Sequence, residues 1–280
     1  MDHLLLFHRT CAEVSRLVTN RYSTSFSMGI RAFHPRFREP VYAIYGFVRF
    51  ADEIVDTFHD YPKQELFRRF REDTYRAIND RISLNPVLHS FQQAVHRYNI
   101  GFDLIDAFLK SMEMDLEQQA YDEQGYDEYI YGSAEVVGLM CLRVFCENDF
   151  EQYERLKAGA RRLGAAFQKI NFLRDIRSDF DERGRVYFPG VDFERFTVED
   201  KRRIEADIKE DFEAALEGIR QLPKGARFGV YLAYKYYTQL FEKIKRAPAQ
   251  RITEERFRVS DKRKVYLLFS SALRHQLNFL

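Results

Sequence analysis

The chain has 280 residues, 45% hydrophobic and 31% charged, with 44 Lys and Arg against 43 Asp and Glu for a formal net charge of +1. That length allows one large domain or two small ones, and the balanced charge gives no reason to expect a polyanionic partner; no nucleic-acid motif is present. Cys11, Cys141 and Cys146 lack CxxC spacing and read as reduced thiols of a cytoplasmic protein, the charged start Met1-Asp2-His3 is unlike a signal peptide, and no run approaches the ~20 apolar residues of a membrane span.

Helical periodicity runs through the chain, and strand signals are nearly missing. Leu4, Leu5, Phe7, Cys11, Val14, Leu17 and Val18 recur at helix spacing over 3–20. Pro40 suits a first helical turn ahead of a helix over 41–58. Further helices are predicted over 63–80, 86–98, 102–119, 126–146, 149–180, 198–221, 225–246 and 260–278. Breaks fall at Pro35, Pro62, Pro86, Asn99-Ile100-Gly101, Gly125, Pro189-Gly190, Pro223 and Pro248. No linker or low-complexity stretch divides the chain. The reading is therefore one all-α domain over 1–280, with about ten helices. The 26 Phe and 17 Tyr fill a helical core or line an apolar cavity fit for a carbocation.

Two acidic clusters interrupt otherwise apolar helices, Asp52-Glu53-Ile54-Val55-Asp56 and Asp175-Ile176-Arg177-Ser178-Asp179. Aspartates four residues apart leave one helix face about a turn apart. Spacing alone says little, because the chain's twenty Asp also give Asp56/Asp60 and Asp207/Asp211. The latter pair reads as a solvated helix face. Context separates the first two. On a helix, Tyr45, Arg49, Asp52 and Asp56 fall within about 60°, and Gln168, Asn171, Asp175 and Asp179 within about 80°. The second stripe offers oxygen ligands throughout, as a hard cation requires, with Arg174 beside it for a phosphate oxygen. Two such stripes facing each other could hold Mg²⁺ and a phosphate-bearing substrate. The plainer alternative for the first is an Arg49–Asp52 surface ion pair, which is worth little. The seven histidines show no metal-ligand spacing, and Cys141 and Cys146 read as small core fillers.

In five ordered blocks the chain resembles the squalene/phytoene synthase family, the head-to-head prenyl diphosphate synthases. The blocks are Tyr22-Ser23-Thr24-Ser25-Phe26-Ser27, Val41 through the DEIVD cluster, Ser111-Met112-Glu113-Met114-Asp115-Leu116, Tyr129-Ile130-Tyr131-Gly132 with Val137-Gly138-Leu139-Met140, and Asn171 through Pro189. The resemblance implies an all-α isoprenoid synthase fold around a central cavity with a trinuclear Mg²⁺ cluster. Asp52 and Asp56 would bind one part of it, and Asn171, Asp175 and Asp179 the other. Arg49, Arg174 and Ser25 match positions near the diphosphates, and Tyr45 and Tyr129 match site-lining tyrosines, candidates to take a final proton. Glu135 departs from the family pattern and would place a charge near the cavity wall. The implied reaction joins two prenyl diphosphates through their first carbons. Phytoene from two C20 chains is the first reading, tilted by the MEMDL block and by no C-terminal membrane anchor being apparent. Squalene or dehydrosqualene from two C15 chains is the alternative, with NADPH needed only for squalene. A helical assembly subunit without catalysis is a reading of another class. The basic run 256–264 reads as a solvated helix start, a second diphosphate contact through Arg258, or attraction to an anionic membrane surface.

Overall fold

The computed structural model describes residues 2–117, 120–192, 195–254 and 256–258. Within them lie twelve α-helices and one π-helical turn, and the only β feature is an isolated bridge between Ala120 and Val186. The helix predicted over 260–278 lies outside the described residues.

α1 (His3–Tyr22) begins at Asp2, whose carboxylate accepts the otherwise unpaired Leu4 and Leu5 N–H groups. α2 (Thr24–Arg31), capped by the Ser23 hydroxyl, was not announced by periodicity, since eight residues make barely two turns. α3 (Pro35–Asp56) corrects the expected start at 41. Pro35 takes the first turn, and Pro40 is buried inside the helix, where it gives up a bond to a preceding carbonyl. The buried side chains of Phe37, Val41, Ile44 and Phe47 hold the helix together despite that loss.

α4 (Lys63–Asp80), α5 (Pro86–Tyr98) and α6 (Phe102–Glu117) follow the predicted boundaries closely. The segment predicted as one helix over 126–146 has three parts: α7 (Glu123–Ile130), a π-helical turn (Tyr131–Glu135) and α8 (Val136–Cys146). By length and composition alone the combined stretch Glu123–Cys146 could cross a membrane, its most apolar 18-residue window having mean hydropathy 1.3. Charged residues interrupt it, however, and 56% of that window is packed inside the protein, as in a core helix. α9 (Phe150–Arg183) runs from its Asp149 cap to Gly184, whose left-handed φ of 64° ends it. α10 (Val198–Gln221) opens on a reciprocal Thr197–Asp200 capping box, α11 (Lys224–Lys245) follows Pro223, and α12 (Ala249–Ile252) is a single unpredicted turn.

Two apolar clusters form the interior. One joins α3, α5, α6 and α8 and centres on Phe47, stacked on Phe91 at 3.9 Å. The other joins α9, α10 and α11 through Ile170, Leu173, Phe212 and Leu240. Between them lies a cavity whose wall draws on both, with α9 packed against α8, α10 and α11.

Candidate active site

The cavity has a volume of about 650 Å³. Where the C-terminal turns of α3 and α9 reach it, its wall carries Asp52, Asp56, Asp175 and Asp179, joined by Asp115 of α6. The last turn of α3 holds Glu53 and Asp56 and no basic residue. Helix dipoles disfavour negative charge there, so helix stability does not explain these carboxylates.

Both predicted stripes lie on the cavity wall: Tyr45, Arg49, Asp52 and Asp56 from α3, with Gln168, Asn171, Asp175 and Asp179 from α9. Arg174, Ser25 and Tyr129 join them. Arg258 does not. It is exposed, and its carbonyl accepts from Lys243 Nζ at 3.0 Å. Two residues earlier, Arg256 lies on the wall with Nε 2.7 Å from Asp175 Oδ1. Arg49 pairs with Glu53, its Nε 3.1 Å from Oε2, and its guanidinium lies 4.6 Å from the Tyr22 ring centroid. The ion pair that forms on this helix is therefore Arg49–Glu53, not the Arg49–Asp52 pair that was the plainer alternative for the first stripe. Arg174 Nε donates to Asp175 Oδ1 at 3.0 Å.

Sequence reasoning passed over the link between the halves. Arg185, only 7% exposed, donates to Asp56 Oδ1 at 2.9 Å and to the Asp115 carbonyl at 2.9 Å. Asp115 accepts from the hydroxyls of Tyr129 at 2.6 Å, Tyr121 at 3.2 Å and Tyr187 at 3.4 Å. The aspartate of the Ser111–Leu116 block, flanked by Met114 and Leu116, and an arginine directly after the Gly184 helix stop were the available signals. A second chain of bonds fixes Asn171. Tyr237 donates to its Oδ1 at 3.2 Å, its Nδ2 donates to Gln168 Oε1 at 3.4 Å, and Gln168 Nε2 donates to Ser133 Oγ at 3.3 Å.

Burial, followed by the neighbouring Asp56 charge, pushes the Asp52 carboxyl up to about 7. Burial also raises Asp115 to about 6, although Arg185 and the Tyr129 hydrogen bond pull it down. Tyr45 is pushed up to about 12 by burial, and Tyr129 is held well above the phenol range by burial and the Asp115 charge. Such crowded negative charge is what a hard cation relieves. Among the described residues, no three His, Cys, Asp or Glu side chains converge on one ion. Mg²⁺ seldom needs that, since it keeps waters and binds through one or two carboxylates plus substrate phosphate. The all-oxygen donor set on two facing helices therefore fits Mg²⁺ arriving with a diphosphate.

Two sequence expectations change here and a third is given its partner. Asp211, expected on a solvated face, is fully buried and binds Lys169 Nζ at 2.7 Å and Arg162 Nη1 at 2.8 Å; Lys169 also reaches Asp207 at 2.6 Å. A lysine there holds the acidic pair. Glu135 stands near the wall as expected, between the lining residues Ala134 and Val137, with its charge paired to Arg161 at 2.5 Å. Cys146 is a core residue, whereas Cys141 lines the cavity.

The family model for squalene/phytoene synthase matches residues 19–263. A chloroplastic phytoene synthase of Daucus carota is 30% identical over 268 residues, covering 84% of this chain and 62% of that protein. A 4,4'-diapophytoene synthase of Staphylococcus haemolyticus is 25% identical, covering 68% of this chain and 66% of that protein. The chain thus spans less than two thirds of the length of these relatives. Among solved structures, a dehydrosqualene synthase in complex with ligand superposes with a TM-score of 0.81 at 20% identity, covering 96% of this chain and 98% of that one; this likeness establishes the all-α fold.

Proposed function

The chain belongs to the squalene/phytoene synthase family, and from that premise we propose that it joins two prenyl diphosphates head to head, two C20 (geranylgeranyl) diphosphates yielding phytoene through a cyclopropyl diphosphate. The observation that carries this reading is the pair of aspartate stripes meeting at one end of an otherwise largely apolar cavity. Resemblance to the carrot phytoene synthase supports the C20 choice.

Asp52 and Asp56 would hold Mg²⁺ on one side, and Asn171, Asp175 and Asp179 on the other. Mg²⁺, when bound, neutralises a diphosphate as it leaves. Arg49, Arg174, Arg185 and Arg256 already stand against carboxylates, and each guanidinium can turn a charge-assisted hydrogen bond toward a phosphate oxygen. Below them the apolar wall excludes water from an allylic cation, and the Tyr45 and Phe26 rings, 5.3 Å apart, offer π faces without capturing it. Tyr129 keeps its proton and donates it to Asp115, so its role is to orient that carboxylate. Tyr45 stays a neutral phenol at pH 7. That leaves the released diphosphate as the stronger base for the final proton.

Incubation with Mg²⁺ and C15 or C20 diphosphate, with and without NADPH, followed by product identification, tests the reading. Phytoene from C20 alone is expected. Asp52→Asn and Asp175→Asn each lower diphosphate release on the order of a hundredfold or more while the fold persists. Near-normal turnover in either variant removes the metal assignment, and no product from any combination favours an assembly subunit.

A further inference from the structure

We propose that Gly29 on α2 sets how long an isoprenoid tail the cavity accepts, an inference that rests on the head-to-head reading above. Several glycines lie on the cavity wall, and most are there because backbones touch. A Cβ on Gly229 would fall 2.3 Å from the Phe33 ring and 2.7 Å from the Gly29 carbonyl oxygen. One on Gly164 would fall 2.7 Å from the Ala134 carbonyl oxygen. Gly159 and Gly218 pack against each other, with a Cβ on either reaching about 3 Å from the other's Cα. These positions are closed to side chains by helix packing.

Gly29 differs. It is buried and on the wall, yet an added Cβ would meet only the Gly229 carbonyl oxygen, at an ordinary 3.8 Å. Its φ is not in the left-handed region, and glycine weakens a helix relative to alanine. Neither packing nor backbone conformation calls for a glycine here. A side chain here would start at the cavity wall, beside the Gly229 carbonyl of α11.

The depth of that position follows from ring contacts on either side. Phe26 lies against Tyr45, which is seven residues, about 10 Å of helix, before Asp52. Phe33 lies against Phe145, 5.0 Å between centroids, and both rings line the cavity. Gly29 falls between these levels, three residues past Phe26 and four short of Phe33. A side chain there would press on the distal tail, far from the diphosphate.

The test measures binding of unreactive C15 and C20 thiolodiphosphates with Mg²⁺ by calorimetry, alongside turnover of the natural diphosphates. Gly29→Ala is expected to fold and bind as the wild type does. Gly29→Leu is expected to melt like the wild type and bind Mg²⁺ with inorganic pyrophosphate unchanged. Its affinity and kcat/KM for the C20 compound should fall about tenfold or more relative to C15, the discrimination a few methylene groups give in an apolar pocket. An unchanged C20-to-C15 ratio in folded Gly29→Leu overturns the assignment, and equal weakening of both lengths does so too. Wild-type protein that binds both analogues but turns over neither substrate refutes the proposed reaction, and the binding ratio still decides Gly29. Wild-type protein that binds neither refutes both.

Discussion

Asp115 shows how a single side chain couples the two halves of the site to pH. Its side chain is 5% exposed, and three tyrosine hydroxyls and Arg185 surround it. Burial nevertheless dominates and raises its carboxyl from 3.8 to about 6. Between those values the folded protein holds a proton that the unfolded chain has released. Stability from this group is therefore fully present below about pH 4 and is lost as pH rises through 6. Two units correspond to about 3 kcal/mol. In EDTA, the stability of Asp115→Asn relative to wild type should accordingly rise by about 3 kcal/mol between pH 4 and pH 7, read from urea titrations across that range. A flat difference would show that Asp115 ionises freely in the fold and that the tyrosines and Arg185 fully compensate its burial.

At the scale of elements, the π-helical turn Tyr131–Glu135 shapes the cavity wall. An extra residue in one turn lets the segment fit closely between neighbours: a Cβ on Gly132 would fall 2.4 Å from the Ala107 carbonyl oxygen, and Gly164 of α9 lies against Ala134. The turn places Ser133 on the wall within reach of Gln168. π-turns are often found at functional sites. Gly132→Ala should therefore cost about 2 kcal/mol, the usual size of an overpacking strain, and lower the melting temperature by several degrees. Gly29→Ala should cost nothing measurable, and equal losses in the two would refute this division of the glycines. The long helices were legible because apolar residues recur at their period. The π-turn was not, since one extra residue leaves the apolar run unbroken. Asp211 misled for another reason: its partner Lys169 is 42 residues away, and only packing of α9 on α10 brings them together. The aspartate stripes could be read from one helix at a time, whereas Arg256 on Asp175 could not, because 81 residues separate them.

The whole molecule works by bringing α3 and α9 to one end of a shared cavity, so ligand binding there should tie both apolar clusters together. Without metal, Asp56 is held by Arg185 and Asp175 by Arg174 and Arg256. A cation alone competes with these guanidiniums, and a diphosphate alone meets the carboxylates. Together, Mg²⁺ satisfies the carboxylates while the phosphate oxygens take over the arginines. The two ligands should thus stabilise the fold cooperatively. Ligand at a hundred times its Kd adds about 2.7 kcal/mol, which corresponds to roughly 5 °C in a chain of this size. In differential scanning calorimetry, Mg²⁺ plus inorganic pyrophosphate should raise the melting temperature by more than the sum of their separate effects, and Asp52→Asn or Asp175→Asn should abolish the excess. Pyrophosphate that stabilises equally in EDTA would mean that the arginines bind it unaided and that the aspartate stripes serve only to position them.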